Sequence, residues 1–184
     1  MFGKRVQKRN GSKVLVCSLG EQDSPQLKGD AAVYDRYFRH VSASGFGSVA
    51  ELLRGIDAGY DVVHLFGSLG PNGLIAADAA LAGSDLISRC CERGVKLLWV
   101  ARENSPEDYV AGLPAGGKRV NLIMTIRRNA GFEEFLSAIL SRVSRGETLP
   151  HAWTKEAPQV PNGPHRDLPS CIFFAGWPAA MLHT

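Results

Sequence analysis

No apolar stretch in the 184 residues approaches the roughly 20 that a membrane-spanning helix needs, so the chain is expected to be soluble. There is no CxxC pair, no H-x-x-x-H, no Walker-type Gly-Lys-Ser/Thr and no G-x-G-x-x-G. A Walker loop sets backbone N–H groups and an ammonium on phosphates, so without one no nucleotide cofactor is expected. His40, His64, His151, His165 and His183 are scattered, and neither they nor the cysteines have the spacing of a zinc site, so no metal is expected. The start lacks the apolar core of a secretory signal, and Met1-Phe2 offers no myristoylation site. The four cysteines, Cys17, Cys90, Cys91 and Cys171, read as reduced thiols of a cytoplasmic protein.

What is present is an ordinary globular mixture, 45% hydrophobic and 21% charged, of a length that suits one domain. The net charge of +3 is gathered at the start, in Lys4, Arg5, Lys8, Arg9 and Lys13. Residues 1–13 are therefore read as a basic tail before a single domain over 14–184. Such a tail is the one feature suited to nucleic acid, which is otherwise not an expected partner, and a solvated terminus is its ordinary role.

Strand and helix signals alternate along the domain. Val14 to Cys17 is a short apolar run of the kind buried on both faces of a sheet. Ser24-Pro25 looks like a helix start, although Gly29 moves the expected start toward Asp30, and Phe38 to Val41 suggests a short second strand. Ser48 and Glu51 have capping-box spacing, followed by the stripe Val49, Leu52, Leu53, Ile56 and the stop signal Gly59. Asp61 to Phe66 is the next strand, with Gly67 to Gly73 as its exit turn, in which Pro71 removes an N–H that a phosphate cradle would use.

Leu86, Ile87, Cys90 and Cys91 then form a helix face closed by Gly94, and Val95 to Val100 a strand. Ser105-Pro106-Glu107-Asp108 opens a short helix, and Val120 to Ile126 is a fifth strand. Phe132, Phe135, Leu136, Ile139, Leu140 and Val143 mark the cleanest amphipathic helix, closed by Gly146. A Pro-rich connection from Pro150 to Pro169 leads to a last strand, Cys171 to Ala175. Apolar strands alternating with helices predict a three-layer α/β/α sandwich on a mostly parallel sheet of about six strands.

In such sheets ligands sit beyond the carboxyl ends of the strands. Those ends are Ser18-Leu19-Gly20-Glu21, Gly67-Ser68, Arg102-Glu103-Asn104 and Arg127-Arg128, a set able to hold an anion or a polypeptide end. His64, inside an apolar strand, is by default a hydrogen-bonded core histidine, and a Cys17–His64 thiol pair is a geometric possibility.

The segments SVAELLRGIDAGYDVVHLFGSLG, GVKLLWVARE, FEEFLSAILSRVSRGETLPHAW and CIFFAG, in this order, resemble the CHAT group of caspase-like peptidases. The resemblance runs from about Ser48 to Gly176 and implies a caspase–hemoglobinase fold, with a flavodoxin-like topology as the fallback. In that family the catalytic histidine ends a strand in an H-x-x-x-H-G pattern, and the cysteine ends the next strand in an A-C-E/D context. The first histidine of the pattern matches His64, the catalytic histidine matches Ser68, and the cysteine matches Arg102 between Ala101 and Glu103. Neither a serine nor a guanidinium can do the replaced group's work.

The resemblance thus implies a scaffold without peptide cleavage, a protein-binding or regulatory module of a bacterial signalling or defence system. Its protein partner would be met by His64, Gly67, Ser68, Asn72, Arg102, Glu103, Asn104 and Arg127. A second reading stays open, a small-molecule enzyme or anion-binding protein. There Arg102, Arg127 or Arg128 would grip the anion, Glu103 would be the base and Ser68 would orient the substrate.

Overall fold

Three strands alternate their side chains between two separate apolar clusters, and this period of two organises the whole molecule. The computed structural model describes residues 9–20, 24–67, 69–70, 73–101, 121–125, 131–156 and 171–174. Val14 and Val16 of β1 (Arg9–Leu19), Val62 and Phe66 of β3 (Val62–Phe66) and Leu97, Trp99 and Ala101 of β7 (Leu97–Ala101) belong to one cluster. Their chain neighbours Leu15, Cys17, Leu19, Val63, Leu65, Leu98 and Val100 belong to the other.

Helices cover both clusters. α1 (Pro25–Tyr34), α4 (Gly131–Val143) and α5 (Leu149–Glu156) pack on the first. α2 (Val49–Asp57) and α3 (Gly83–Glu92) pack on the second. The chain is therefore an α/β protein with a mostly parallel sheet flanked by helices. With β2 (Phe38–Phe46), β8 (Asn121–Thr125) and β9 (Cys171–Phe174), the strand order is β2-β1-β3-β7-β8-β9. Every neighbouring pair is parallel except β8 and β9, which run antiparallel. Among the described residues no helix is long and apolar enough to cross a membrane.

Several elements depart from their expected extents. β1 reaches back to Arg9, so Arg9 to Lys13 of the basic segment belong to the strand, where Arg9 pairs with Phe38 and Lys13 with His40. α1 starts at Pro25 and runs through Gly29. A Cβ at Gly29 would come 2.3 Å from a carboxylate oxygen of Glu133, so the glycine leaves room for that side chain where α1 faces α4. β2 continues to Phe46 because β1 supplies an unbroken parallel partner from Lys13 to Leu19. The Pro-rich connection begins after Glu156 rather than at Pro150. Pro150 stands in the first turn of α5, where a missing N–H costs nothing.

The turn after β3 also holds more structure than a turn. β4 (Leu69–Gly70), β5 (Gly73–Ile75) and β6 (Ala80–Leu81) form a small antiparallel sheet in that order. Gly73 is obligatory at its crossing, with φ at 88° and the Leu81 carbonyl oxygen 2.1 Å from where a Cβ would stand.

The capping box of α2 forms as its spacing predicts. The Ser48 hydroxyl accepts the Glu51 N–H at 3.1 Å, and the Glu51 carboxylate reaches back to the Gly47 N–H at 2.8 Å. Asp78, from the turn between β5 and β6, adds a further acceptor for the Val49 N–H at 3.0 Å, tying the small sheet to the start of α2.

Candidate functional site

The sheet reverses its order of growth between β1 and β3, since β2 lies on one side of β1 and β3 on the other. A crevice is expected outside the carboxyl ends of those two strands. At the β1 exit Gly20 turns with φ at 89° and donates its N–H to the Phe46 carbonyl at 2.9 Å. At the β3 exit Gly67 is buried, and a Cβ there would stand 3.0 Å from the Leu74 side chain. A side chain at Gly67 would press on Leu74 of the small sheet and on Leu65 of β3, so the glycine lets these two pack closely at the strand end.

Of the residues proposed from the sequence, Ser68, Asn72, Arg102, Glu103, Asn104 and Arg127, with Arg128, lie outside the described residues. The strands leading to them are described. β3 and β7 are neighbours in parallel register from Val62 opposite Leu97 to Leu65 opposite Val100. Ser68 follows the end of β3 by two residues, and Arg102 follows Ala101 directly.

His64 sits one layer below these exits, opposite Val16 on one side and Trp99 on the other. It is fully buried, so it has no surface for a ligand or partner to touch. Its Nδ1 lies 3.1 Å from the Tyr34 hydroxyl. Its Nε2 lies 3.2 Å from a carboxylate oxygen of Asp30, within ion-pair range but off the line of a hydrogen bond. Asp30 and Tyr34 are fully buried as well. The imidazole stacks on Trp99 with centroids 5.6 Å apart and planes 12° apart, and it meets Phe66 and Phe132 at 4.9 and 5.9 Å.

If the Nε2 proton faces the Asp30 carboxylate, Nδ1 is the acceptor and the Tyr34 hydroxyl the donor. Burial, reinforced by the Asp30 carboxylate, pushes the Tyr34 phenol well above its ordinary range, so it stays protonated and able to donate. A polar trio enclosed by aromatic rings orients α1 on β3. It has no access to a substrate.

Cys17 does not join His64. It pairs in register with Leu65 and belongs to the opposite cluster, so the alternation of β1 and β3 sends the thiol and the imidazole to different faces. Burial, and then the nearby Cys90, raises the Cys17 thiol far above the range of a nucleophile. Burial likewise pushes Cys90 up to about 12. The thiol-pair possibility is thereby removed. Among the described residues no group of three or more His, Cys, Asp or Glu could hold a metal ion.

Asp30 and Tyr34 were not among the candidates from the sequence. The signal for them was a carboxylate inside an apolar helical face, since Leu27, Asp30, Ala31 and Tyr34 follow i, i+3, i+4, i+7. A carboxylate there needs a buried partner. No protein-family model matches the chain, and no curated protein shows significant similarity to it.

Proposed function

We propose that this chain is a CHAT-type caspase-like domain that lacks the catalytic His/Cys pair and acts as a cytoplasmic protein-binding or regulatory module, in a bacterial signalling or defence system. One observation carries the reading. β3 and β7 are adjacent and parallel, so the two motif positions of the family, Ser68 and Arg102 here, come within two residues in sequence of the carboxyl ends of neighbouring central strands. Two catalytic groups at such positions would meet across a single strand spacing, and with serine and arginine there the chemistry is absent. The order of the first five strands, β2-β1-β3-β7-β8, also suits the flavodoxin-like fallback, and the antiparallel β9 at the far edge goes beyond it.

Restoring the pair tests the proposal. The double variant Ser68→His/Arg102→Cys is expected to react with an electrophilic peptide reagent faster than Arg102→Cys alone, because an adjacent imidazole raises the thiolate fraction. Equal rates, with equal pH dependence, would sink the alignment. Turnover of a phosphate or thioester substrate by the natural chain, lost in Glu103→Gln, would replace the regulatory reading with the enzyme.

A further inference from the structure

β2 ends the strand order on one side, and among the described residues nothing pairs with its outer edge. It is nine residues long, roughly 30 Å of edge whose outward N–H and C=O groups no described strand pairs. Natural sheets protect such edges with short strands, prolines, bulges or charges along the strand. β2 has no proline, keeps unbroken register with β1 from His40 to Phe46, and carries its basic residues only at Arg39 and His40. From Val41 to Phe46 it is uncharged and partly exposed.

The order of side-chain sizes along β2 says what fits there. Its first half, Phe38-Arg39-His40-Val41, is bulky, and Ala43-Ser44-Gly45 in its second half is small. Antiparallel pairing of two identical strands about Ser42 sets bulky against small between Arg39 and Gly45, with Phe38 opposite Phe46 at the two ends. Arg39 faces Gly45, His40 faces Ser44, Val41 faces Ala43 and Ser42 faces itself, and no two basic residues stand opposite each other. A centre on a residue also brings the outward-facing backbone groups of both strands into register, as antiparallel hydrogen bonding requires. Parallel pairing in the same register would set Arg39 against Arg39. We infer that β2 is a self-pairing edge, joining two copies of this chain across a two-fold axis at Ser42 into one continuous sheet. β2 lies on the far side of β1 from β3 and β7, so the pairing stands whether or not the proposed regulatory role does.

Light scattering on the full chain at about 100 μM, where even modest association is populated, is expected to give twice the chain mass of 19.9 kDa. Ser42→Lys sets two ammonium groups face to face and should weaken association about tenfold or more. Ser42→Cys should crosslink through position 42 with a short bis-maleimide, which adds one thiol at each end, since facing Cβ atoms lie about 5 Å apart, while the natural chain treated alike should give no crosslink at position 42. The crosslink decides the matter should Ser42→Lys fail to fold. A monomer at that concentration, a dimer indifferent to Ser42→Lys, or no crosslink at position 42 would each overturn the inference.

Discussion

The two faces of the sheet are built on different principles. Toward α2 and α3 the strands present Leu15, Cys17, Leu19, Val63, Leu65, Leu98 and Val100, and the helices answer with Val49, Leu52, Ile56, Leu86, Ile87 and Cys90. Among the described residues the buried part of that face is aliphatic apart from the thiols of Cys17 and Cys90, with Phe46 and Tyr60 packed only partly buried against it. Toward α1, α4 and α5 the strands present Trp99 and Phe66 around His64, met by Tyr34, Phe132 and Phe135, with Trp153 5.3 Å from Phe135. Here an imidazole, a phenol and a carboxylate must be placed correctly or cost several kcal/mol. One face supplies cohesion and tolerates exchange among similar volumes. The other specifies how α1 sits on β3, the strand that leads into the candidate site.

The largest expected break is on the aromatic face. Trp99 is fully buried and meets His64, Phe132, Phe135 and Trp153, so Trp99→Ala should cost about 4 kcal/mol in urea unfolding. Leu52→Ala, on the aliphatic face and equally buried, should cost nearer about 3 kcal/mol because less area is lost. An equal or reversed order would dissolve the contrast.

Next comes the polar trio. His64→Phe keeps the ring but leaves the Asp30 carboxylate buried without its imidazole, at an expected cost of about 3 kcal/mol. Asp30→Leu added to it removes the buried carboxylate as well and should return much of that loss, the mark of a pair that specifies more than it stabilises. If the double variant is less stable than His64→Phe by a full Leu-for-Asp packing defect, the trio is a net source of stability instead.

How far the sequence revealed these features depended on whether the signal was local. The α2 box, the stops at Gly59, Gly94 and Gly146 and the alternating apolar strands are set by neighbours in the chain, and all were readable. Gly29 misled because α1 runs straight through it, packed on other elements whose contacts its local sequence does not show, and the small sheet after β3 was missed because its strands are two or three residues long. Of the candidate site, His64 was found as a core histidine, but its partners come from thirty residues away. Spacing within one strand cannot name them. The strand exits, Ser68, Arg102 and their neighbours, come from the strand-end rule, and the roles given to Ser68 and Arg102 come from the family resemblance.

On the aliphatic face the thiols give the third test. Cys17→Val, close in volume and without a polar atom, should change stability by under about 1 kcal/mol, whereas Cys17→Ser buries a hydroxyl and should cost about 1–2 kcal/mol. Because burial raises Cys17 and Cys90, neither should react with a disulfide reagent in the folded chain at pH 8, while the half-buried Cys91 should. Rapid labelling of Cys17 would mean that this face opens more readily than its packing implies.

The smallest effect belongs to the edge the two faces share. Burial raises the Asp61 carboxyl, but the Lys96 ammonium at 2.8 Å and the Lys13 N–H at 2.9 Å outweigh it and hold the group below its ordinary value of 3.8. A carboxyl depressed by folding contributes stability that is complete above its unfolded value and lost as pH falls through the folded one. Lys96 is exposed enough for solvent to screen the pair, so Asp61→Asn should cost only about 0.5 kcal/mol at pH 7. That gap should close as pH falls through the depressed folded value, below which the natural side chain is neutral too. Urea midpoints of both chains at pH 7 and below that value decide the point. A gap that persists in acid would assign the contribution of the Asp61 side chain to the hydrogen bond it accepts from the Lys13 N–H rather than to its charge, because the backbone of residue 61, which accepts the Lys96 N–H at 2.7 Å and donates to the Lys13 carbonyl at 2.9 Å, is the same in both chains.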